Sequence, residues 1–174
     1  MKQILIAVDL QTDFIDGALG TAEAVAIVNA AAEKIRTWDG EIIATLDTHH
    51  ENYMDTAEGK KLPVPHCIKG TPGWRLNPVI AEALEGKSVR FIEKPTFGAI
   101  KLPGLIKKAA DGDDFAVTLI GLCTDICVVS NALLVKAHFP EVPVSVDSAC
   151  CAGVTPAAHE AALNTMRSCQ IDIL

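Results

Sequence analysis

Aromatic side chains make up only 5% of the sequence, and none of its apolar runs approaches the roughly 18 residues a membrane span needs. A basic excess is missing too. The formal charge is −7, and Lys60-Lys61 and Lys107-Lys108 are the adjacent basic pairs in an otherwise scattered set. Phosphate contacts need a basic face, so nucleic-acid binding is excluded as the main activity. The six cysteines (67, 123, 127, 150, 151 and 169) contain no Cys-x-x-Cys spacing, which argues against a zinc knuckle or a thioredoxin-type site. No Gly-x-Gly-x-x-Gly follows the first apolar run, against a dinucleotide-binding module. Internal repeats, linkers and low-complexity segments are also absent.

The N-terminal run Ile4-Leu5-Ile6-Ala7-Val8 is broken at once by Asp9. It is too short for a secretory signal and reads as a buried strand. A cytoplasmic chain with reduced thiols is therefore expected, most of them small core residues. At 174 residues, the whole chain (1–174) reads as one domain with a sizeable core.

Apolar runs of strand length alternate with helical patterns. Strands are expected at 3–8, 41–46, 89–92, 115–120, 143–146 and 170–174. Helices are expected at 22–37, 77–85, 103–110, 124–137 and 155–167, with Thr21 capping the first and Thr155-Pro156 opening the last. This alternation implies an α/β fold of three αβα layers around a six-stranded parallel sheet of Rossmann-like topology. The crevice of such a sheet lies beyond the carboxyl ends of its strands. Asp9, Asp47, Lys94 and the 121–127 segment all fall at that edge. The polar stretch 48–75 is long for a compact domain, and loops of that kind are usually functional.

Cys127 lies just past a strand, about one turn into a helix that Thr124 or Asp125 would cap. A helix N-terminus favours a thiolate and offers N–H groups to an oxyanion. The apolar face Ile126-Cys127-Val128-Val129 suits a core cysteine as well, and local context leaves the two open. Asp9 is either a turn cap or a site group. Lys94 is a solvated strand end or a cation that holds nearby anions. Asp47 and His49, two apart in an extended stretch, point the same way, and Glu58 and His66 follow in the same loop. Two imidazoles with carboxylates suit Zn²⁺, Fe²⁺ or Mn²⁺, and a polar loop with incidental histidines fits too. His50 and His159 have no comparable setting and read as surface or capping residues.

Five segments carry a resemblance together: Val8-Asp9-Leu10-Gln11-Thr12-Asp13-Phe14, Asp47-Thr48-His49, His66 with Gly70-Thr71-Pro72-Gly73, Lys94-Pro95-Thr96-Phe97, and Gly121 to Val128. In that order the chain resembles the isochorismatase-like cysteine hydrolases, and among them the nicotinamidases (pyrazinamidases). The resemblance implies a triad of Cys127, Asp9 and Lys94, a thioester intermediate and release of ammonia. It implies a non-proline cis peptide at Leu122–Cys123, with the N–H groups of Cys123 and Cys127 as the oxyanion hole. It also implies a divalent cation, zinc foremost, on Asp47, His49 and His66, with Glu58 where many members carry a histidine. Phe14, Trp74 and Phe97 are the candidate aromatic wall for a small amide substrate. A homo-oligomer, dimer or tetramer, and a place in NAD salvage are further implications. The alternative within the family is a metal-independent amidase for a carbamoyl or ureido compound. Outside it stands a non-catalytic thiol protein using Cys123 with Cys127, or Cys150 with Cys151, as a redox pair.

Overall fold

The computed structural model describes residues 1–174. Its centre is the segment Ile4–Val8, five consecutive residues of which none is more than 2% exposed. An apolar run buried on both faces belongs in the middle of a parallel sheet. Accordingly β1 (Lys2–Val8) pairs in parallel with β2 (Glu41–Asp47) on one side and β4 (Phe115–Leu122) on the other. With β3 (Val89–Lys94), β5 (Val144–Ala152) and β6 (Asp172–Ile173), the strand order is β3-β2-β1-β4-β5-β6, parallel throughout. The order reverses between β1 and β4, the switch point at which such sheets open a crevice.

Seven α-helices complete the layers: α1 (Thr12–Ile15), α2 (Ala22–Thr37), α3 (Ala57–Lys61), α4 (Pro78–Ala83), α5 (Leu102–Ala110), α6 (Val129–His138) and α7 (Pro156–Ser168). Two cores result, one on each face of the sheet. Helices α2 and α4 bury Val28, Ala31, Ile35 and Ile80 against Leu5, Ala7 and Ile42. Helices α5, α6 and α7 bury Ile106, Val135 and Met166 against Ile4, Ile6 and Val117. The apolar residues of α2 recur at helical spacing (Ala24, Val28, Ala31, Ala32, Ile35), and Thr21 Oγ1 caps it by accepting from Ala24 N.

The expected elements are present, with shifted ends. Strand β5 extends to Ala152 because Cys151 and Ala152 pair with Gly121 and Leu122 beyond a register shift in β4. Strand β6 is only two residues long, since Gln170 turns the chain through a left-handed conformation (φ 63°) just before it. The stretch 48–75 is less irregular than expected, holding a 3₁₀ turn at Tyr53–Asp55 and α3. No helix is long and apolar enough to cross a membrane.

Candidate functional site

Three strand ends meet at the switch point. Asp9 follows β1 in a left-handed conformation (φ 48°), its carboxylate wholly buried and its Oδ1 accepting from Thr45 Oγ1 at 2.6 Å. Lys94 ends β3 and stands in register beside Asp47, the last residue of β2. Cys127 lies on the turn after β4. Gly121, near the end of β4, has φ +120°, and a Cβ there would fall 2.0 Å from the Val8 carbonyl oxygen, so only glycine lets the two strands close up before that turn. The Leu122–Cys123 peptide is cis.

The Lys94 ammonium is the hub. Its Nζ lies 2.7 Å from Asp9 Oδ2, 3.2 Å from Asp47 Oδ1 and 3.3 Å from Cys127 Sγ, with the lysine side chain 1% exposed. Burial disfavours its charge, yet Asp9, Cys127 and Asp47 outweigh that and hold the ammonium above the usual lysine range. Burial raises the Asp9 carboxyl, Lys94 opposes and Asp47 adds, leaving it above an ordinary aspartate. Burial and then the Asp9 charge drive the Cys127 thiol well up, against the pull of Lys94. This runs against the expectation of a helix-stabilised thiolate, because burial and the Asp9 charge both favour the protonated sulfur.

The local geometry also departs from that expectation. Residues Thr124–Val128 form one π-helical turn ahead of α6, with Val128 N donating to Cys123 O. Neither Thr124 nor Asp125 caps it. Thr124 Oγ1 pairs with His159 Nδ1 at 2.8 Å, and Asp125 Oδ1 accepts from Val154 N at 3.0 Å, so the turn is tied to the first turn of α7 and to the connection that precedes it. Among the cysteines, 67, 127, 150 and 151 are buried, Cys123 is half-buried and Cys169 is exposed. The side chains of Cys150 and Cys151 face opposite cores, which removes them as a redox pair.

Asp47 has two faces. While Oδ1 meets Lys94, Oδ2 lies 3.0 Å from His49 Nε2 and 3.5 Å from His66 Nε2. Ligand atoms of Asp47, His49 and His66 all fall within 4.8 Å of one another, and all three residues are buried. Glu58 Oε1 sits on the outer side, 3.7 Å from each imidazole. His66 Nδ1 pairs with the Val64 carbonyl at 2.8 Å; the ring must donate there, which leaves Nε2 a bare lone pair facing the cluster. His49 Nε2 is buried without a hydrogen-bond partner. An orphaned imidazole nitrogen beside carboxylates is the donor set a divalent cation takes, and the residues fit one. Burial works against charge on both Asp47 and His66. The two imidazoles beside it, His49 foremost, draw the Asp47 carboxyl down, and the neighbouring Asp47 draws the His66 imidazole up.

A cavity of about 870 Å³ opens over both groups. Phe14 and Phe97 line it, as do Cys123, Ile126, Leu62 and Val154. Trp74 does not. Its indole N–H donates to Thr48 Oγ1, its carbonyl accepts from Gln11 Nε2, and its ring packs on the α2–α4 core. Tyr53 takes the aromatic place instead, its ring 4.8 Å from that of His49 and 5.1 Å from that of His66. Gln11, which exchanges two hydrogen bonds with the Asp47 backbone, and Asp13, which accepts from Cys67 N beside His66, hold the segments carrying Asp47 and His66 in place. Sequence reasoning placed Gln11 and Asp13 inside a matching segment without a role and passed over Tyr53, Thr45 and Asn131.

Known proteins resemble the chain in sequence and in fold. The chain is 33% identical over 144 residues to the Bacillus subtilis protein named "Uncharacterized isochorismatase family protein PncA", covering 76% of this chain and 78% of that one. It is 29% identical to the nicotinamidase/pyrazinamidase of Mycobacterium tuberculosis, covering 98% of this chain and 97% of that protein. The pyrazinamidase of Pyrococcus horikoshii, solved in complex with zinc, superposes with a TM-score of 0.80 at 27% identity over 100% of this chain and 99% of its own. The sequence profile of the isochorismatase domain matches residues 3–174, and on that match the chain belongs to the isochorismatase family.

Proposed function

We propose that this amide hydrolase is a nicotinamidase, converting nicotinamide and water to nicotinate and ammonia. The observation that carries the reading is the double role of Asp47, one oxygen on the Lys94 hub and the other on the His49–His66 pair. A group that anchors a ring and a group that attacks its carboxamide thereby share one rigid carboxylate.

In this reading Cys127 is the nucleophile and Asp9 its base. Burial raises the Asp9 carboxyl, which makes it a stronger proton acceptor for the thiol than an ordinary aspartate. As Sγ bonds to the amide carbon, the thiol proton passes to Asp9, and the N–H groups of Cys123 and Cys127 hold the oxyanion. Asp9 then gives the proton to the departing nitrogen, the C–N bond breaks, and ammonia leaves a thioester. Water attacks that thioester as Asp9 takes a proton again; the C–S bond breaks to give nicotinate and restore the thiol. Lys94 keeps the buried anions balanced throughout. Asp47, His49 and His66, with Glu58 as the outer ligand, would hold a divalent cation, zinc foremost and iron(II) or manganese next. When bound, it supplies a Lewis-acid anchor for the pyridine nitrogen. Phe14, Tyr53 and Phe97 enclose the ring.

Support comes from the nicotinamidase names of the relatives and from the zinc in the Pyrococcus protein. The test is ammonia release from nicotinamide by wild type, Cys127→Ala and chelator-treated protein. Only the untreated wild type should be active. Activity in Cys127→Ala would sink the mechanism, and activity on ureido compounds but not nicotinamide would move the substrate within the family.

A further inference from the structure

Asn131 is wholly buried in the first half of α6, on the turn after Cys127. Asparagine is a poor helix former, and a buried carboxamide without partners is costly. Local sequence therefore gives no reason for it. Its partners do. Oδ1 accepts from Ala99 N at 2.8 Å, and Nδ2 donates to Cys127 O at 2.8 Å and to Phe97 O at 3.2 Å. The orientation of the amide is settled by those partners, since a backbone N–H only donates and carbonyls only accept. Every hydrogen of the carboxamide is used.

The two ends of this bridge are the two halves of the site. Cys127 is the sulfur's own residue. Phe97 and Ala99 belong to the segment that leaves Lys94 at the end of β3, and Phe97 lines the cavity. The ammonium and the sulfur meet at 3.3 Å, and no backbone pairing joins β3 to the Cys127 turn, because β2 and β1 stand between β3 and β4. Asn131 supplies the missing tie. We infer that Asn131 is a positioning residue, whose carboxamide sets the register of Cys127 against Lys94 and holds the Phe97 wall at the substrate. The inference rests on Cys127 being the nucleophile, but not on nicotinamide being the substrate.

The test uses Asn131→Ala, the near-isosteric Asn131→Asp, and Val135→Ala as a stability control on the same helix. Val135 is buried in the core and outside the cavity. Two rates are read. One is alkylation of Cys127 by iodoacetamide, followed by site-resolved mass spectrometry with exposed Cys169 as internal reference. The other is kcat and KM for ammonia release. Both Asn131 variants should slow Cys127 labelling and lower kcat by about tenfold or more, since misplacement of about 1 Å costs that order. KM should rise through the loosened Phe97 segment, while Cys169 labelling stays constant. Val135→Ala should lower the melting temperature and change neither rate by more than about twofold. If Asn131→Ala does not fold, Asn131→Asp decides, as it keeps the volume and the Ala99 bond while losing both donors. Wild-type labelling and kcat in the Asn131 variants, or an equal loss in Val135→Ala, would overturn the inference. A labelling defect with no ammonia from nicotinamide in wild type would leave it standing and sink the nicotinamidase reading.

Discussion

Replacing Lys94 by methionine keeps the length of the buried stem and removes the charge. Asp9 and Asp47 would then face each other without the cation that sits 2.7 and 3.2 Å from them. Stripping one partner from a buried ion pair costs about 3–5 kcal/mol. For a domain of this size each kcal/mol moves the melting temperature by about 2–4 °C, so a fall of roughly 6–20 °C is expected at pH 8. With Lys94 gone, burial and Asp47 push the Asp9 carboxyl up, and only the Thr45 hydrogen bond opposes them. A carboxyl whose folded pKa exceeds its unfolded value binds a proton on folding. The stability it contributes is complete below the unfolded value of about 3.9 and is lost as pH rises through the folded value. The deficit relative to wild type should therefore shrink on going from pH 8 to pH 5, measured by calorimetry in parallel. Adding Asp9→Leu should recover part of the loss, because no buried carboxylate remains at that position, while activity stays absent. A pH-independent deficit, or a double variant no more stable than Lys94→Met, would refute the reasoning.

Other consequences of the same geometry are open to simpler assays. Asp9→Asn should abolish iodoacetamide labelling of Cys127 at pH 7, because the thiol is raised and loses its proton acceptor. Cys169 should react as before, and Cys150, pushed up to about 11 by burial and Asp147, should stay silent in native protein of either kind. Zinc at 100 times its dissociation constant should stabilise chelator-stripped protein by about 2.7 kcal/mol, a rise of roughly 5–11 °C. Glu58→Gln should weaken zinc binding in calorimetric titration and leave Cys127 labelling unchanged. Asp47→Asn should disturb both, and equal behaviour of the two variants would contradict the double role of Asp47. Gly121→Ala, forced to φ +120° against the Val8 carbonyl, should lower stability by about 3 kcal/mol or more, seen as a shift in urea midpoint without a change in slope.

The sheet was legible because burial on both faces imposes continuous apolar runs, and Ile4–Val8 and Val117–Ile120 show them without ambiguity. Helix α2 was legible to the residue from its cap and its period. The strand ends then pointed to Asp9, Asp47 and Lys94, since side chains following a buried parallel strand collect at one edge. What escaped was set by partners distant in sequence. A π turn has the same apolar pattern as the α-helix it precedes, so Thr124–Val128 carried no sign of its own. Thr124 looked like a cap, and only the folded chain brings His159 to its hydroxyl. Trp74 is held away from the cavity by its indole hydrogen bond to Thr48, a partner 26 residues away, and Tyr53 lines the cavity instead. Asn131 was passed over, because its partners Ala99 and Phe97 lie more than 30 residues away along the chain.

On the proposed mechanism, a resting Cys127 thiol changes the order of events rather than the choice of nucleophile. A helix N-terminus stabilises a thiolate where water can reach it, but here burial dominates and the nearest anion is a carboxylate. An ionised Cys127 beside ionised Asp9 and Asp47 would place a third anion next to Lys94 with no second cation. Keeping the sulfur protonated avoids that, and Lys94 still offsets one buried negative charge at each stage. On the proposed mechanism the negative charge moves from Asp9 to sulfur to the carbonyl oxygen as the proton moves the other way. A single fixed ammonium, 2.7 Å from Asp9 and 3.3 Å from the sulfur, can follow that charge without moving. That geometric demand explains why the lysine is buried to 1% exposure, and why the segment leading away from it is tied to the cysteine turn.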